Sequence, residues 1–381
     1  MMRSGLVALA IIAGIGAAHA QSGNVSTVSQ ENANNVADVD QDFSLWGSRS
    51  EISQTGASNL VTVLQIDDGS AVDGGAANVS VVNQSGDGAV ATVAQSSVEA
   101  GNDVAAVNVS RVTQLGADSR ATVAQVGAGA DSLILQAGVS QTAWVGQSGG
   151  GQTVSTVDQD GDANMATVLQ ADAGAGAVLV SGVVQRGEAH IADITQLGEA
   201  AQSTVEQGGQ TNFATISQDS LGADMLESRV TQSGLDLVAM VDQSGAAATS
   251  TIEQTGDVNV ASVMQTGDGA GLLSSLVVQT DGGNAATVDQ RGAGPATSVI
   301  DQSGQRMTAD VSQDGEDLFS TIIQSEGSDN IADVVQAGLG KSSTVTQTGF
   351  DQMATVTQTS GTMSASTITQ SGAGNTATVV Q

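Results

Sequence analysis

The chain has no cysteine and no tyrosine, and only one proline, two tryptophans, four phenylalanines and two histidines among 381 residues. Without thiols it has neither disulfide staples nor a thiolate nucleophile. An ordinary globular core is excluded as well, because large aromatic rings normally fill the centre of a domain this size. Basic residues are scarce: nine Lys and Arg face forty Asp and Glu, for a net charge of −31. Nucleic acid and anionic membranes both demand clustered Lys and Arg, so neither is an expected partner.

Residues 1–20 read as a signal peptide outside the fold. Met1–Arg3 give a short basic start, Leu6–Gly16 an apolar core and Ala18-His19-Ala20 a small-x-small cleavage signature. That apolar run is too short to span a bilayer, and nothing later resembles a membrane segment. The expected mature chain, 21–381, is a single secreted repeat domain. Losing the leader removes one Arg and no acid, so eight basic residues then face forty acidic ones.

What the chain has in place of aromatics is 48 Gly with abundant Val, Ile and Ala, arranged in a repeat. Fifteen units can be aligned on paired Gln residues, from Gln30 and Gln41 to Gln370 and Gln381. Two residues before all thirty Gln stands Val or Ile. Four before the first Gln of each unit is Ser in all fifteen; four before the second is Ala in fourteen, with Val61 the departure. Gly follows the first Gln by two residues in twelve units, with Asn32, Asp281 and Glu326 in the others. Asn stands six before the second Gln in eight units. The two Gln are eleven apart everywhere except Gln324 to Gln336, whereas the interval between units varies. One corner is therefore fixed, and insertions such as Ile66–Val79 and Ser96–Val109 collect at the other.

Strict alternation around β-branched residues predicts strands, two to a unit, with a glycine-bearing arc between them. The expected fold is all-β: a two-sheet β-solenoid of fifteen strand-arc-strand rungs, stacked parallel and in register. The inward parity carries the candidate self-assembly ladder. Its members in the first rung are Ser26, Val28, Gln30, Asn35, Ala37, Val39 and Gln41. Ser155, Val157, Gln159, Asn164, Ala166, Val168 and Gln170 represent a middle rung, and Ser366, Ile368, Gln370, Asn375, Ala377, Val379 and Gln381 the last. Each buried Val or Ile contributes roughly 1.5–3 kcal/mol. Stacked Gln and Asn can form amide ladders, and an unpaired buried amide is costly, so the ladder must be continuous. Ser facing Ala marks the narrow point between the sheets.

The outward parity is mixed Thr, Asp and Ser, except for an apolar column beside the fixed arc (Val36, Leu60, Met165, Ile191, Phe213 and others), which is an expected lateral contact between filaments. Three rival readings fare worse. A β-helix enzyme would need converging carboxylates, ligands and sugar-stacking aromatics; one of the two His lies in the leader and the acids are scattered singly. A soluble secreted β-helix binding module, holding Ca²⁺ at acidic loops such as Asp67-Asp68 and Asp314–Asp317, is the alternative, although no nonapeptide Gly/Asp repeat occurs. An outward Thr column (Thr62, Thr92, Thr122, Thr167) suits an ice-binding solenoid but is broken by Asp38, Trp144, Asp193 and Met240. No catalytic residue, cofactor or metal site is expected.

The unit Gln–x–Gly–x–x–Asn–x–Ala–x–Val–x–Gln, as in Gln159–Gln170 and Gln370–Gln381, resembles the curlin repeat of curli fibre subunits, across about 24–381. That family usually places Ser six residues before the first Gln; here the invariant Ser is four before, and Ser48 and Ser364 keep the other position. The resemblance implies an extracellular functional amyloid. Such subunits pass through the periplasm and a dedicated outer-membrane curli secretion pore, polymerise with their own kind from a nucleator subunit, and serve biofilm matrix, adhesion and cell aggregation. Asp40, Asp158, Asp242, Asp289 and Asp301, just before ladder Gln residues, are candidate gatekeepers that delay assembly.

Overall fold

The computed structural model describes residues 24–42, 47–67, 78–97, 107–172, 176–220, 225–268, 271–359 and 361–381. The signal-peptide assignment, 1–20, lies outside the described residues, as does most of each long corner insertion. The chain divides into two compact units, Met1–Arg186 and Gly187–Gln381. The described residues hold twenty-nine strands, β1 (Val25–Glu31) to β29 (Thr376–Val380), and no helix. That is about fourteen turns of a parallel β-solenoid, close to the fifteen rungs expected. One strand, β26 (Ile331–Phe350), runs unbroken through Gln336 and Gln347 and so serves two half-units.

In the first unit each strand pairs in parallel with the next but one, each repeat position over the same position of the next repeat. β1 pairs with β3 (Arg49–Thr55) as Ser26↔Ser50, Val28↔Ile52 and Gln30↔Gln54. β2 (Val36–Asp42) pairs with β4 (Leu60–Asp67) as Val39↔Val63 and Gln41↔Gln65. The second unit repeats the rule: β15 (Ala200–Gln210) lies against β17 (Leu226–Leu235) as Ser203↔Ser228, Val205↔Val230 and Gln207↔Gln232.

The strands form because alternate residues are β-branched or small and fit a pleated surface buried on one side. In β11 (Gln152–Asp162), Thr153, Ser155, Val157 and Gln159 are buried while the residues between them are partly or fully exposed. The Val/Ile column is fully buried in every middle rung, for example at Val157, Val168, Val230 and Val288.

The fixed arc is set by backbone geometry. Most glycines two residues past the first Gln have positive φ, as at Gly209 (φ 105) and Gly234 (φ 157); Gly86 and Gly116 do not. A Cβ on Gly209 would strike the Gly234 carbonyl oxygen one layer on, and a Cβ on Gly234 would strike that of Gly256. The residue before the Asn column is also left-handed whatever its type: Ala163 (φ 56), Thr211 (φ 58) and even β-branched Val258 (φ 61). The structure amends the sequence reading at Glu326. The extra residue between Gln324 and Gln336 falls in this arc, the register shifts there, and Gly327 takes the glycine place, pointing at the Gly349 carbonyl.

Layer contact thus demands glycine in the arc, and Gly209→Ala should lower stability by about 2 kcal/mol or more. Gly182→Ala, where a Cβ meets nothing within 4 Å, should stay within about 1 kcal/mol of wild type. Denaturant midpoints of the two variants check the contrast.

Candidate functional site: amide ladders and the two outer layers

Within each unit the Gln residues make two continuous ladders. In the first unit Gln30 Nε2 donates to Gln54 Oε1 at 2.6 Å, Gln54 to Gln84 at 2.8 Å and Gln84 to Gln114 at 2.8 Å. The second strands match it: Gln41 to Gln65 at 2.8 Å and Gln65 to Gln95 at 2.8 Å. In the second unit Gln232 donates to Gln254 at 2.9 Å, Gln254 to Gln279 at 2.8 Å, Gln347 to Gln370 at 2.8 Å and Gln358 to Gln381 at 2.9 Å. The other Nε2 hydrogen crosses to a carbonyl at the start of a facing strand, as from Gln254 to Val238 O at 3.0 Å. Each amide therefore closes the interior at a strand end with its hydrogen bonds satisfied. The ladders also have a direction, because in all of these steps the donor is the residue of lower number.

The Asn column does a different job. Asn59 Nδ2 donates to Thr55 O at 3.2 Å in its own layer and to Gly86 O at 2.8 Å in the next, while Asn59 Oδ1 accepts the Ala89 N–H at 2.9 Å. Asn284 repeats this with Thr280 O, Gly304 O and the Met307 N–H. The amide thus satisfies the arc carbonyls that the glycine turn leaves inside. His190 stands in the same column, fully buried, and its Nδ1 accepts the Asn212 N–H at 3.2 Å, replacing the Asn carbonyl. Gln141 and Gln352 keep both donor bonds but leave Oε1 unpaired.

Two features escaped the sequence reading. Fourteen of the column Ser hydroxyls, from Ser26 to Ser366, have no hydrogen-bond partner; in the remaining layer Ser132 Oγ accepts from Gln125 Nε2 at 3.4 Å. Two residues before each Ser runs a further inward column at the variable corner, which in the second unit alternates Ala201, Leu226, Ala248, Leu273, Ala296 and Leu318, all buried. The sign of this column was the two-layer period of Ala and Leu.

The representative ladder residues fall at three depths. Ser155, Val157, Gln159, Asn164, Ala166, Val168 and Gln170 are buried. Ser26, Val28, Gln30, Asn35, Ala37, Val39 and Gln41 are half-buried. In the last layer Ser366, Ile368 and Gln370 are buried, Ala377 and Val379 half-buried, and Asn375 and Gln381 exposed. Among the described residues β1 pairs only with β3, and β29 only with β27 (Met353–Gln358). The outward apolar column is exposed at Val36, Leu60, Met165, Ile191, Phe213 and Met353, and half-buried at Val90 and Val238.

Residues 304–338 match the curlin associated repeat. The chain carries the curlin repeat. The matched stretch spans the Gly304 arc and the Gln313, Gln324 and Gln336 strand ends, and the columns of this curlin repeat recur through the rest of the described chain. No curated protein matches the chain. The repeat and the β-solenoid together point to a structural protein.

Outward carboxylates also stack. Asp310 lies in register with Asp333; burial, then the Asp333 and Asp289 charges, raise the Asp310 carboxyl above its ordinary range, and burial raises Asp333. Both folded-state pKa values are raised, so the folded chain holds these protons more tightly than the unfolded one. Their ionisation therefore destabilises the fold at neutral pH, and stability returns as pH falls toward the carboxylate range. The double change Asp310→Asn, Asp333→Asn should raise the denaturation midpoint at pH 7 and flatten its rise on acidification; an unchanged pH profile would count against the stacked pair.

The ladder can be tested in the same way. Gln254→Ala removes the acceptor of one Gln232 Nε2 hydrogen and the donor to Gln279 Oε1 and to the Val238 carbonyl, and should cost about 2–5 kcal/mol. A loss below 1 kcal/mol in denaturant titration would mean that the ladder is dispensable.

Proposed function

We propose that this protein is a secreted structural subunit whose copies stack end to end into an extracellular, curli-like cross-β fibre serving biofilm matrix, adhesion and cell aggregation. The observation that carries this reading is the mismatch between pattern and coverage. The first and last layers have the same Ser, Val/Ile, Gln, Asn and Ala columns as the buried layers, yet each is covered on one side only among the described residues. Uncovered strand layers recruit further strands. The ladder direction makes the two faces complementary: Gln30 and Gln41 turn Oε1 acceptors outward, and Gln370 and Gln381 turn Nε2 donors outward. A stack whose layers are bound mainly to their neighbours gains a full set of partners for each added copy.

The acidic surface sets the rate. With eight basic residues against forty acidic ones, the chain freed of its leader repels incoming copies, and Asp40, Asp158, Asp242, Asp289 and Asp301, each just before a ladder Gln, act as gatekeepers. Export by way of the leader and a curli-type outer-membrane pore, with growth started by a nucleator subunit, completes the reading.

Chain freed of its leader and diluted from denaturant should assemble with a concentration-dependent lag that seeds abolish, giving fibres with a 4.7–4.8 Å cross-β reflection. Added salt should shorten the lag by screening the acidic surface. A folded monomer that stays monomeric at high concentration and salt would overturn the fibre reading in favour of a soluble β-helix module.

A further inference from the structure

The Gln, Val/Ile, Ser and Ala columns cannot decide which layers of two copies meet. They are nearly identical in every layer, so by themselves they would let any layer face any other. The variable-corner column is what distinguishes one layer from the next. Through the middle of the second unit it is apolar and alternates in size: Ala201↔Leu226, Leu226↔Ala248, Ala248↔Leu273, Leu273↔Ala296 and Ala296↔Leu318 lie in register, none more than 2% exposed. Layers about 4.8 Å apart are closer than two stacked leucyl groups prefer, so each Leu spreads over the Ala of its neighbours.

Between Asn108 and the second unit the column reads Ala130, Thr153 and Leu179, all buried, and towards both ends of the described residues it turns polar. At one end it reads Asn24, Ser48, Asn78, Asn108: the Ser48 N–H donates to Asn24 Oδ1 at 3.0 Å, Asn108 Nδ2 donates to Asn78 Oδ1 at 3.2 Å, and the Ala130 N–H donates to Asn108 Oδ1 at 3.2 Å. At the other end stand Lys341 and Ser364, in register with each other. Lys341 is the one lysine of the sequence and is 1% exposed; its Nζ donates to Gly361 O at 3.1 Å and to Ser364 Oγ at 3.4 Å.

We infer that this corner column is the register code of assembly: the Lys341–Ser364 end of one copy fits the Asn24–Ser48 end of a second copy of this chain, and fits the Ala/Leu middle layers poorly. The inference rests on the self-stacking reading above. Ser364 Oγ accepts from Lys341 and carries a hydrogen of its own to donate. Asn24 Oδ1 accepts the Ser48 N–H at 3.0 Å and Nδ2 donates to Gln41 O at 3.5 Å, which leaves a second oxygen lone pair and a second Nδ2 hydrogen for the next copy. A copy docking on a middle layer before the rest of that chain has folded over it would set a polar group over Leu226 or Leu273, desolvated and with no partner, which disfavours the wrong register.

The test is seeded growth of the full mature chain. Leu already occupies this column in several layers, but Ser364→Leu also removes an oxygen that Lys341 Nζ donates to, so it is expected to stay folded with a lowered denaturation midpoint and to elongate wild-type seeds about tenfold or more slowly. Asn24→Leu, on the opposite face, should do the same independently. The double variant Asn24→Ala, Ser364→Leu rebuilds a Leu-over-Ala junction, so it should regain self-assembly but cross-seed wild type poorly. Folded single variants that elongate wild-type seeds at the wild-type rate would overturn the register code and leave self-stacking intact. Failure of the wild type itself to assemble would overturn both.

Discussion

Every feature of this chain depends on one constraint: each inward side chain sits about one strand spacing from its own counterpart in the layers above and below. That spacing suits a primary amide, which can donate to one neighbour and accept from the other. It also suits Val and Ile, whose branched faces stack without voids. It leaves no room beyond hydrogen at the arc, where the Gly209 carbon would otherwise meet the Gly234 carbonyl. The low aromatic content follows from the same constraint. An interior this thin has no centre for a ring to fill, and stability comes from repeating a small contact many times.

The constraint is unfavourable for charge. A carboxylate column would place like charges one layer apart, and the outward positions avoid this by mixing Thr, Ser and Asp. Where the rule lapses, at Asp310 and Asp333, both carboxyls are held above their ordinary range. Where opposite charges stack, the result reverses: Arg306 Nε and Nη2 lie 2.8 and 2.7 Å from the two Asp329 oxygens, and the Asp329 pKa falls to about 2. Hydroxyls are a third case. Ser in the narrow column is too short to reach the next layer, and fourteen such oxygens are buried without partners, a cost of the kind that a continuous Gln ladder avoids.

The sequence made legible whatever is identical from layer to layer. Gln, Val/Ile, Ser and Ala recur at fixed offsets, so strand parity, parallel register and burial of the ladder could be read directly from Gln30 to Gln381. What stayed hidden does not repeat with a one-layer period. The corner column stands six residues before each first Gln, where Ser48 and Ser364 were the visible members, but its Ala and Leu recur with a period of two layers, so no single residue type marks it. Glu326 looked like a glycine replacement because counting from Gln324 ignores the extra residue that shifts the register. The left-handed residue before the Asn column carries only a weak composition signal: Asp118, Asp236, Gly283 and Asp351 are types that favour this backbone, but Ala163, Thr211 and Val258 adopt it because the arc requires it. The unpartnered hydroxyls depend on reach between layers, which spacing along the chain does not encode.

A repeat this regular raises a question of its own. If all layers were the same, stacking would be favourable at any register, and a folding chain could skip or slip by whole layers with little loss. Nearest-neighbour energies, which make the stack stable, contain nothing that counts layers. Counting must come from the positions where the repeat is broken. In this chain those breaks are ordered: polar Asn and Ser at the corner of the early layers, alternating Ala and Leu through the second unit, and Lys341 with Ser364 at the last two. A slip of one layer would set Leu over Leu, and a larger slip would bring Lys341 against an apolar column with nothing to accept its protons. Identical columns therefore supply cohesion, while the irregular corner supplies the register, and the two tasks fall on different residues because no single column can do both.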